Sequence, residues 1–205
     1  MSRCVIVGAG EILDYAYIRS FLLPDDYFIV CDGGIYHIES LGITADEYIG
    51  DFDSAAKPVT ERTVTVLPCE KDDTDTFAAT KRMLSKDFTD FVFIGVLGKR
   101  MDHTLCNLSI LLFLYKMNAK GTIISDFETV SLITDKERVY REECSFFSCL
   151  CADGRVNNIT ISGAKYPLSD ATIEPYYQYA VSNEVIGEYA EITVKNSVAY
   201  LIKSR

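Results

Sequence analysis

Hydrophobic and polar positions follow two different rhythms along the chain. Up to about residue 126, short β-rich apolar runs alternate with segments of helical periodicity. RCVIVGAG reads as a strand, and EILDYAYIRSFLL as a helix with Ile12, Ala16, Phe21 and Leu22 near one face. YFIVCDGG is the next strand, IYHIESLGI a short helix, EYIGDFDS a strand running into a loop, and TVTVLP a further strand. TDTFAATKRMLSK has the pattern of an amphipathic helix, FVFIGVLG that of a fully apolar strand, DHTLCNLSILLFLYKM that of a mostly buried helix, and GTIIS that of a strand. This order predicts an α/β domain with a mainly parallel sheet.

Beyond residue 126 the helical periodicity disappears. TVSLIT, SFFSCLC, NNITISG, YAVSN, YAEITVKN and VAYLI are short β-branched or aromatic runs, with DKERVYREE as a polar connection. They predict an all-β C-terminal sandwich over residues 127–205, beside an α/β N-terminal domain over residues 1–126.

Composition narrows the chemistry. The 205 residues are 48% hydrophobic, enough for a sizeable core. Thirty acidic against twenty basic residues give a formal charge of −10, which repels a phosphate backbone and argues against a nucleic-acid partner. No window approaches the roughly 18 apolar residues of a membrane span, and MSRCVIVGAGEILD has no secretory character. Seven cysteines form an odd set without a C-x-x-C pair, as expected of reduced thiols in a cytoplasmic protein. Cys149 and Cys151 cannot complete a zinc site when only His37 and His103 are available.

Two familiar phosphate-binding patterns fail. CVIVGAGEILD has Gly8 and Gly10 but Leu13 where a dinucleotide fingerprint needs its third glycine, so a tight strand-to-helix turn accounts for these glycines equally well. Gly98-Lys99 is not a P-loop, because Phe93 replaces the first glycine and Arg100 the serine or threonine.

Four other segments carry candidate chemistry, each following a strand. CDGG puts Asp32 at a strand's carboxyl end, where open α/β sheets hold their ligands, although Asp-Gly-Gly is also an ordinary turn. In GDFDS an extended backbone puts Asp51 and Asp53 on one side, with Phe52 anchored in the core. Two adjacent carboxylates repel unless one is protonated or a cation joins them, and Mg²⁺ suits such a pair. KDDTDTFAA enters a helix with Asp72, Asp73 or Thr74 as cap and Asp75 in the first turn, and Lys71 just ahead. Asp72 and Asp75, three residues apart, lie near one face. GVLGKRMDHTLCNL offers Lys99 and Arg100 for phosphate, and Asp102 as cap of a helix beginning at His103. An acidic set and a basic pair on one sheet edge can build a metal-nucleotide site without a P-loop.

CDGG, GDFDS, KDDTD and LGKRMDHTLCNL, in this order, with the later SGAKYPL and YAVSNE, resemble the thiamine pyrophosphokinase family over nearly the whole chain. The resemblance implies an ATP:thiamine diphosphotransferase, homodimeric, with an N-terminal α/β domain, a C-terminal β-sandwich and thiamine at the dimer interface. By motif, it assigns Asp51, Asp53 and Asp75 to Mg²⁺ and the triphosphate, with Asp32 and Asp72 nearby. Arg100 falls to ATP, and Arg100 and Asp102 to the transfer, while the phosphate role of Lys99 rests on its charge alone. Tyr166, Ser182 and Asn183 of the second subunit fall to thiamine. Asp102 or Asp75 is the implied acceptor of the hydroxyl proton. Two positions depart from the family pattern: Lys99 replaces a glycine, and Ala164 a leucine. The residues alone leave three other readings open: a Mg²⁺-dependent kinase passing only the γ-phosphoryl to a small alcohol, a non-catalytic nucleotide sensor, and an interaction module whose acidic loops are purely structural.

Overall fold

The computed structural model describes residues 3–53, 55–70, 72–98 and 100–205. The chain divides into two compact units, Met1–Asp126 and Phe127–Arg205.

In the first unit, the strands β1 (Cys4–Val7), β2 (Tyr27–Cys31), β3 (Glu47–Gly50), β4 (Thr63–Val66), β5 (Asp90–Ile94) and β6 (Lys120–Ile124) lie in the order β4-β3-β2-β1-β5-β6. Every pairing is parallel. Such strands are covered on both faces, which is why β1 is the unbroken run CVIV with all four residues buried. One face carries Val5, Val7, Phe28, Val30, Val92 and Ile94 against Ile18 of α1 (Tyr15–Arg19) and Leu41 of α2 (Ile38–Leu41). On the other, Leu111 and Leu114 of α4 (Met101–Lys116) close over Gly121 and Phe93, and α3 (Asp75–Leu84) packs against α4.

The first helix is shorter than its periodicity predicts. Asp14 caps it by accepting a hydrogen bond from Tyr17 N at 3.0 Å, so the preceding residues lie outside the helix. The backbone N–H groups of Leu13 and Asp14 donate instead to the Asp126 carboxylate. A 3₁₀ segment, Asp32–His37, begins where β2 ends and runs into α2. Helix α4 is less buried than predicted: Asn107, Ile110, Leu111 and Leu114 are enclosed, whereas Met101 and Leu105 near its start are exposed.

The second unit is antiparallel throughout. Strands β7 (Glu128–Ile133), β13 (Ala199–Ser204) and β9 (Phe146–Cys151) pair in that order. Strands β11 (Leu168–Ile173), β10 (Val156–Ser162), β12 (Tyr189–Thr193) and β8 (Lys136–Tyr140) form the other sheet. Ile133, Phe147, Cys149 and Leu201 from the first sheet share a core with Val139, Ile161, Ile173 and Ile192 from the second, making the expected sandwich.

Two segments differ from expectation here. DKERVYREE contains strand β8: Val139 is fully buried, while Lys136 and Arg138 form ion pairs with Glu191 of β12. The charges that read as a loop are cross-strand partners on the outer face. YAVSN is no strand, because Ser182 turns into the left-handed region at φ +53° and only isolated bonds, such as Asn183 with Phe147, tie it to β9.

Candidate active site

Strand order reverses between β1 and β5, since the chain runs outward through β2, β3 and β4 on one side and continues through β5 and β6 on the other. Ligands of open α/β sheets bind at the carboxyl ends of such a switch point. Here a cleft of about 770 Å³ opens, lined by Gly8–Glu11 after β1, Asp32 after β2, Asp51 and Asp53 after β3, Asp73–Thr76 at the start of α3, and Gly95–Gly98 and Arg100 after β5. Gly8 and Gly10 serve close backbone packing. A Cβ on Gly8 would lie 2.5 Å from Gly95 O, and one on Gly10 would lie 2.7 Å from the carbonyl oxygens of both Gly95 and Leu97. Gly10 N donates to Gly95 O at 2.6 Å, joining the two loops.

Asp32, Asp51 and Asp75 converge in this cleft, each offering a carboxylate oxygen within 4.8 Å of the others. Asp32 is 8% exposed, and its Oδ1 is buried without a hydrogen-bond partner among the described residues. Its backbone lies at φ +36°, an unusual conformation for a residue with a side chain. Neighbouring Cys31 carries the electrostatic signature of the place: burial first, then the charge of Asp75, raise its thiol pKa well above the ordinary value. Three hard oxygen donors, one of them buried and unsatisfied, fit a divalent cation of the Mg²⁺ kind.

The acidic residues are therefore sorted differently from the motif reading. Asp32 joins Asp51 and Asp75, while Asp53 lines the cleft outside that group and is exposed. The loop is not extended as expected, because Phe52 sits at φ +56° and is half-buried. Thr74 caps α3, accepting from Phe77 N at 3.2 Å, and Asp75 falls in the first turn. Asp73 lines the cleft and forms an ion pair with Lys81, whereas Asp72 is exposed and is not among the lining residues. Lys71 and Lys99 lie outside the described residues.

Arg100, not Asp102, occupies the N-cap position of α4, which starts at Met101, two residues before the expected start. Its guanidinium binds the Asp102 carboxylate twice, Nε at 3.2 Å and an Nη at 2.6 Å. Those bonds, with one from His103 N, bring the Asp102 pKa down to about 2, so this carboxylate is a weak proton acceptor. Asp102 is also missing from the cleft lining, whereas Arg100 and His103 belong to it. Asn107 is not among the candidate residues that the sequence singles out. It is buried, lines the cleft and donates through Nδ2 to Val96 O at 2.6 Å. An amide inside NLSILLF was the available signal.

In the second unit, Tyr166, Leu168, Tyr179, Ala180, Val181 and Asn183 line a hollow of about 290 Å³. Tyr166 is 57% exposed. Asn183 is 3% exposed, and its side chain is committed to the backbone: Oδ1 accepts from Tyr166 N at 2.9 Å, and Nδ2 donates to Tyr166 O at 2.8 Å. Ser182 is exposed beside the hollow, its N–H bonded to Ser148 Oγ. Ala164 is a core residue bridged to Val185.

Comparison with known proteins agrees in both halves. Residues 18–123 match the thiamin pyrophosphokinase catalytic domain. Residues 129–201 match the thiamin pyrophosphokinase vitamin B1 binding domain. The chain is 26% identical over 185 residues to a Bacillus subtilis (strain 168) protein named thiamine pyrophosphokinase, covering 86% of each. The crystal structure of thiamine pyrophosphokinase from Bacillus subtilis shares the fold with a TM-score of 0.88 at 24% identity, covering 99% of both chains. That of yeast thiamin pyrophosphokinase shares it with a TM-score of 0.77 at 13% identity, over 100% of this chain and 87% of the other. With both domain models matched in order along a two-unit fold, the chain belongs to the thiamin pyrophosphokinase family.

Proposed function

We propose that this protein is an ATP:thiamine diphosphotransferase, forming thiamine diphosphate and AMP. The observation that carries the reading is the meeting of Asp32, Asp51 and Asp75 at the sheet's switch point, beside Arg100, in a chain of this family.

Asp32, Asp51 and Asp75 would hold Mg²⁺, which when bound supplies positive charge to the triphosphate oxygens. Glycine-lined backbone from the β1 and β5 loops borders the space left for the phosphates. The primary hydroxyl of thiamine attacks the β-phosphorus in line. Its oxygen forms the new P–O bond, the bond from that phosphorus to the α,β-bridging oxygen breaks, and AMP leaves with the electron pair. Arg100 neutralises charge that develops on the transferring group. Asp102 keeps Arg100 in place and, being so weakly basic, is not assigned the proton. Asp53, which lines the cleft outside the three-carboxylate group, takes the hydroxyl proton. Positioning and charge neutralisation do most of the work, because phosphoryl transfer asks little covalent chemistry of the protein.

The second unit is assigned to thiamine. Tyr166 offers an aromatic face to a cationic ring, held in place by Asn183, with Ser182 at the edge. The working form is a homodimer in which this hollow serves the partner's cleft. Exposed Tyr176, Tyr177 and Ile186 in the same unit support an interface there. Seven free thiols suit a cytoplasmic protein, and no helix among the described residues is long and apolar enough to cross a membrane.

Incubation with Mg²⁺, ATP and thiamine, followed by nucleotide chromatography, tests the reading. AMP and thiamine diphosphate are expected in equal amounts. ADP with thiamine monophosphate would replace it with a γ-phosphoryl kinase, and unchanged ATP with a non-catalytic binder.

A further inference from the structure

His37 has no part in the assignments above, yet it is buried at 9% exposure and both ring nitrogens are engaged. Nε2 lies 2.8 Å from Gly10 O, and Nδ1 lies 2.8 Å from the Tyr15 hydroxyl. A carbonyl oxygen only accepts, so Nε2 carries the proton and donates; in the neutral ring Nδ1 then accepts from Tyr15 Oη. His37 ends the 3₁₀ segment that begins with Asp32. Gly10 belongs to the β1 loop lining the cleft, and its own N–H donates to Gly95 O in the β5 loop. One imidazole thus ties α1, the Asp32 segment and the β1 loop, and through Gly10 reaches the β5 loop.

We infer that His37, backed by Tyr15, is a positioning residue for the nucleotide. It fixes the backbone of Gly8–Glu11 against Gly95 and holds the Asp32 segment at the spacing that the metal-bound triphosphate requires. The inference rests on the reading of this cleft as the MgATP site. Three features favour a positioning role over simple core filling. An apolar residue would fill the same volume without the two directed bonds. Asp32 sits in an unusual backbone conformation that its surroundings must hold. Finally, the carbonyl that His37 engages belongs to a glycine with no room for a side chain, so the loop has no side-chain packing of its own at that point.

The test compares His37→Leu, His37→Gln and Tyr15→Phe in the full chain. In His37→Leu the KM for MgATP rises about tenfold, the fold-change that matches loss of one directed hydrogen bond, while the KM for thiamine stays within twofold. The amide of His37→Gln reaches Gly10 O and restores most of the MgATP affinity, and Tyr15→Phe gives an intermediate loss. Hydrogen exchange at the Gly10 amide accelerates in His37→Leu and returns towards the wild-type rate in His37→Gln. Equal losses in the Leu and Gln variants, or unchanged Gly10 exchange, would overturn the positioning role. Should wild-type protein form no thiamine diphosphate, the functional reading falls, and the Gly10 exchange rates still decide whether His37 holds the loop. Tyr15→Phe keeps the question open to measurement if the Leu variant does not fold.

Discussion

The Asp102 carboxylate accepts two hydrogen bonds from the Arg100 guanidinium, at 2.6 and 3.2 Å, on the exposed first turn of α4. Arg100 bonding first, and the His103 N–H second, bring the Asp102 pKa down to about 2. Asp102 therefore stays ionised across any workable assay range. The pH–rate profile of Asp102→Asn should keep the wild-type shape between about pH 4 and 9, with a KM for MgATP raised a few-fold as Arg100 loosens. Loss of an acidic limb in the variant would show that Asp102 titrates during turnover.

Arg100→Lys tests the cation itself. A lysine preserves charge but not the planar fork, so kcat should fall by about a hundredfold with a smaller change in the KM for thiamine. Steady-state kinetics in both substrates would check this.

Among the carboxylates, the structure separates Asp51 from Asp53. Asp51→Asn and Asp32→Asn should each lower turnover by a hundredfold or more, roughly, and abolish the Mg²⁺ dependence of ATP binding in calorimetry. Asp53→Asn should lower kcat while leaving MgATP affinity within about threefold of wild type. Equal loss of MgATP binding in all three would return Asp53 to the metal.

Asn183 should act through Tyr166. Asn183→Ala removes both bonds to the Tyr166 backbone, and the KM for thiamine should rise about tenfold while that for MgATP is unchanged. Tyr166→Phe, which keeps the aromatic face, should stay within about threefold.

Glu47 gives a stability prediction away from the cleft. Its side chain is 1% exposed and meets Tyr27, Arg82 and Lys86. Burial alone would raise its pKa, but hydrogen bonds from Lys86, Tyr27 and Arg82 outweigh that and hold it below the usual carboxylate value. Since the folded-state pKa is depressed, the stabilisation is complete above the unfolded value near 4.5 and is lost as pH falls through the folded value. Glu47→Ala should cost about 2–3 kcal/mol at pH 7 in urea unfolding, without changing kcat of the folded protein.

Much of this fold can be read from the sequence, for particular reasons. The central parallel strands β1 and β5 are buried on both faces, so CVIV and FVFI stand out as continuous apolar runs. Strand β8 is masked because its outward Lys136 and Arg138 find their partner, Glu191, more than fifty residues away. The three-carboxylate group is half legible. Asp51 and Asp75 stand in obvious acidic motifs, but Asp32 joins them only because β2 pairs β3 with Cys31 opposite Ile49, setting the two strand ends side by side. That register is not visible in either segment alone. The Asn183 amide reads as a turn residue until the fold brings the Tyr166 backbone to it.

The fate of the β-phosphorus of ATP separates diphosphoryl transfer from single-phosphoryl transfer. With ATP labelled at that position, Mg²⁺ and thiamine, the label should leave the nucleotide pool and appear in thiamine diphosphate, in step with unlabelled AMP. Label retained in ADP while thiamine gains a single phosphoryl group would rule out diphosphoryl transfer.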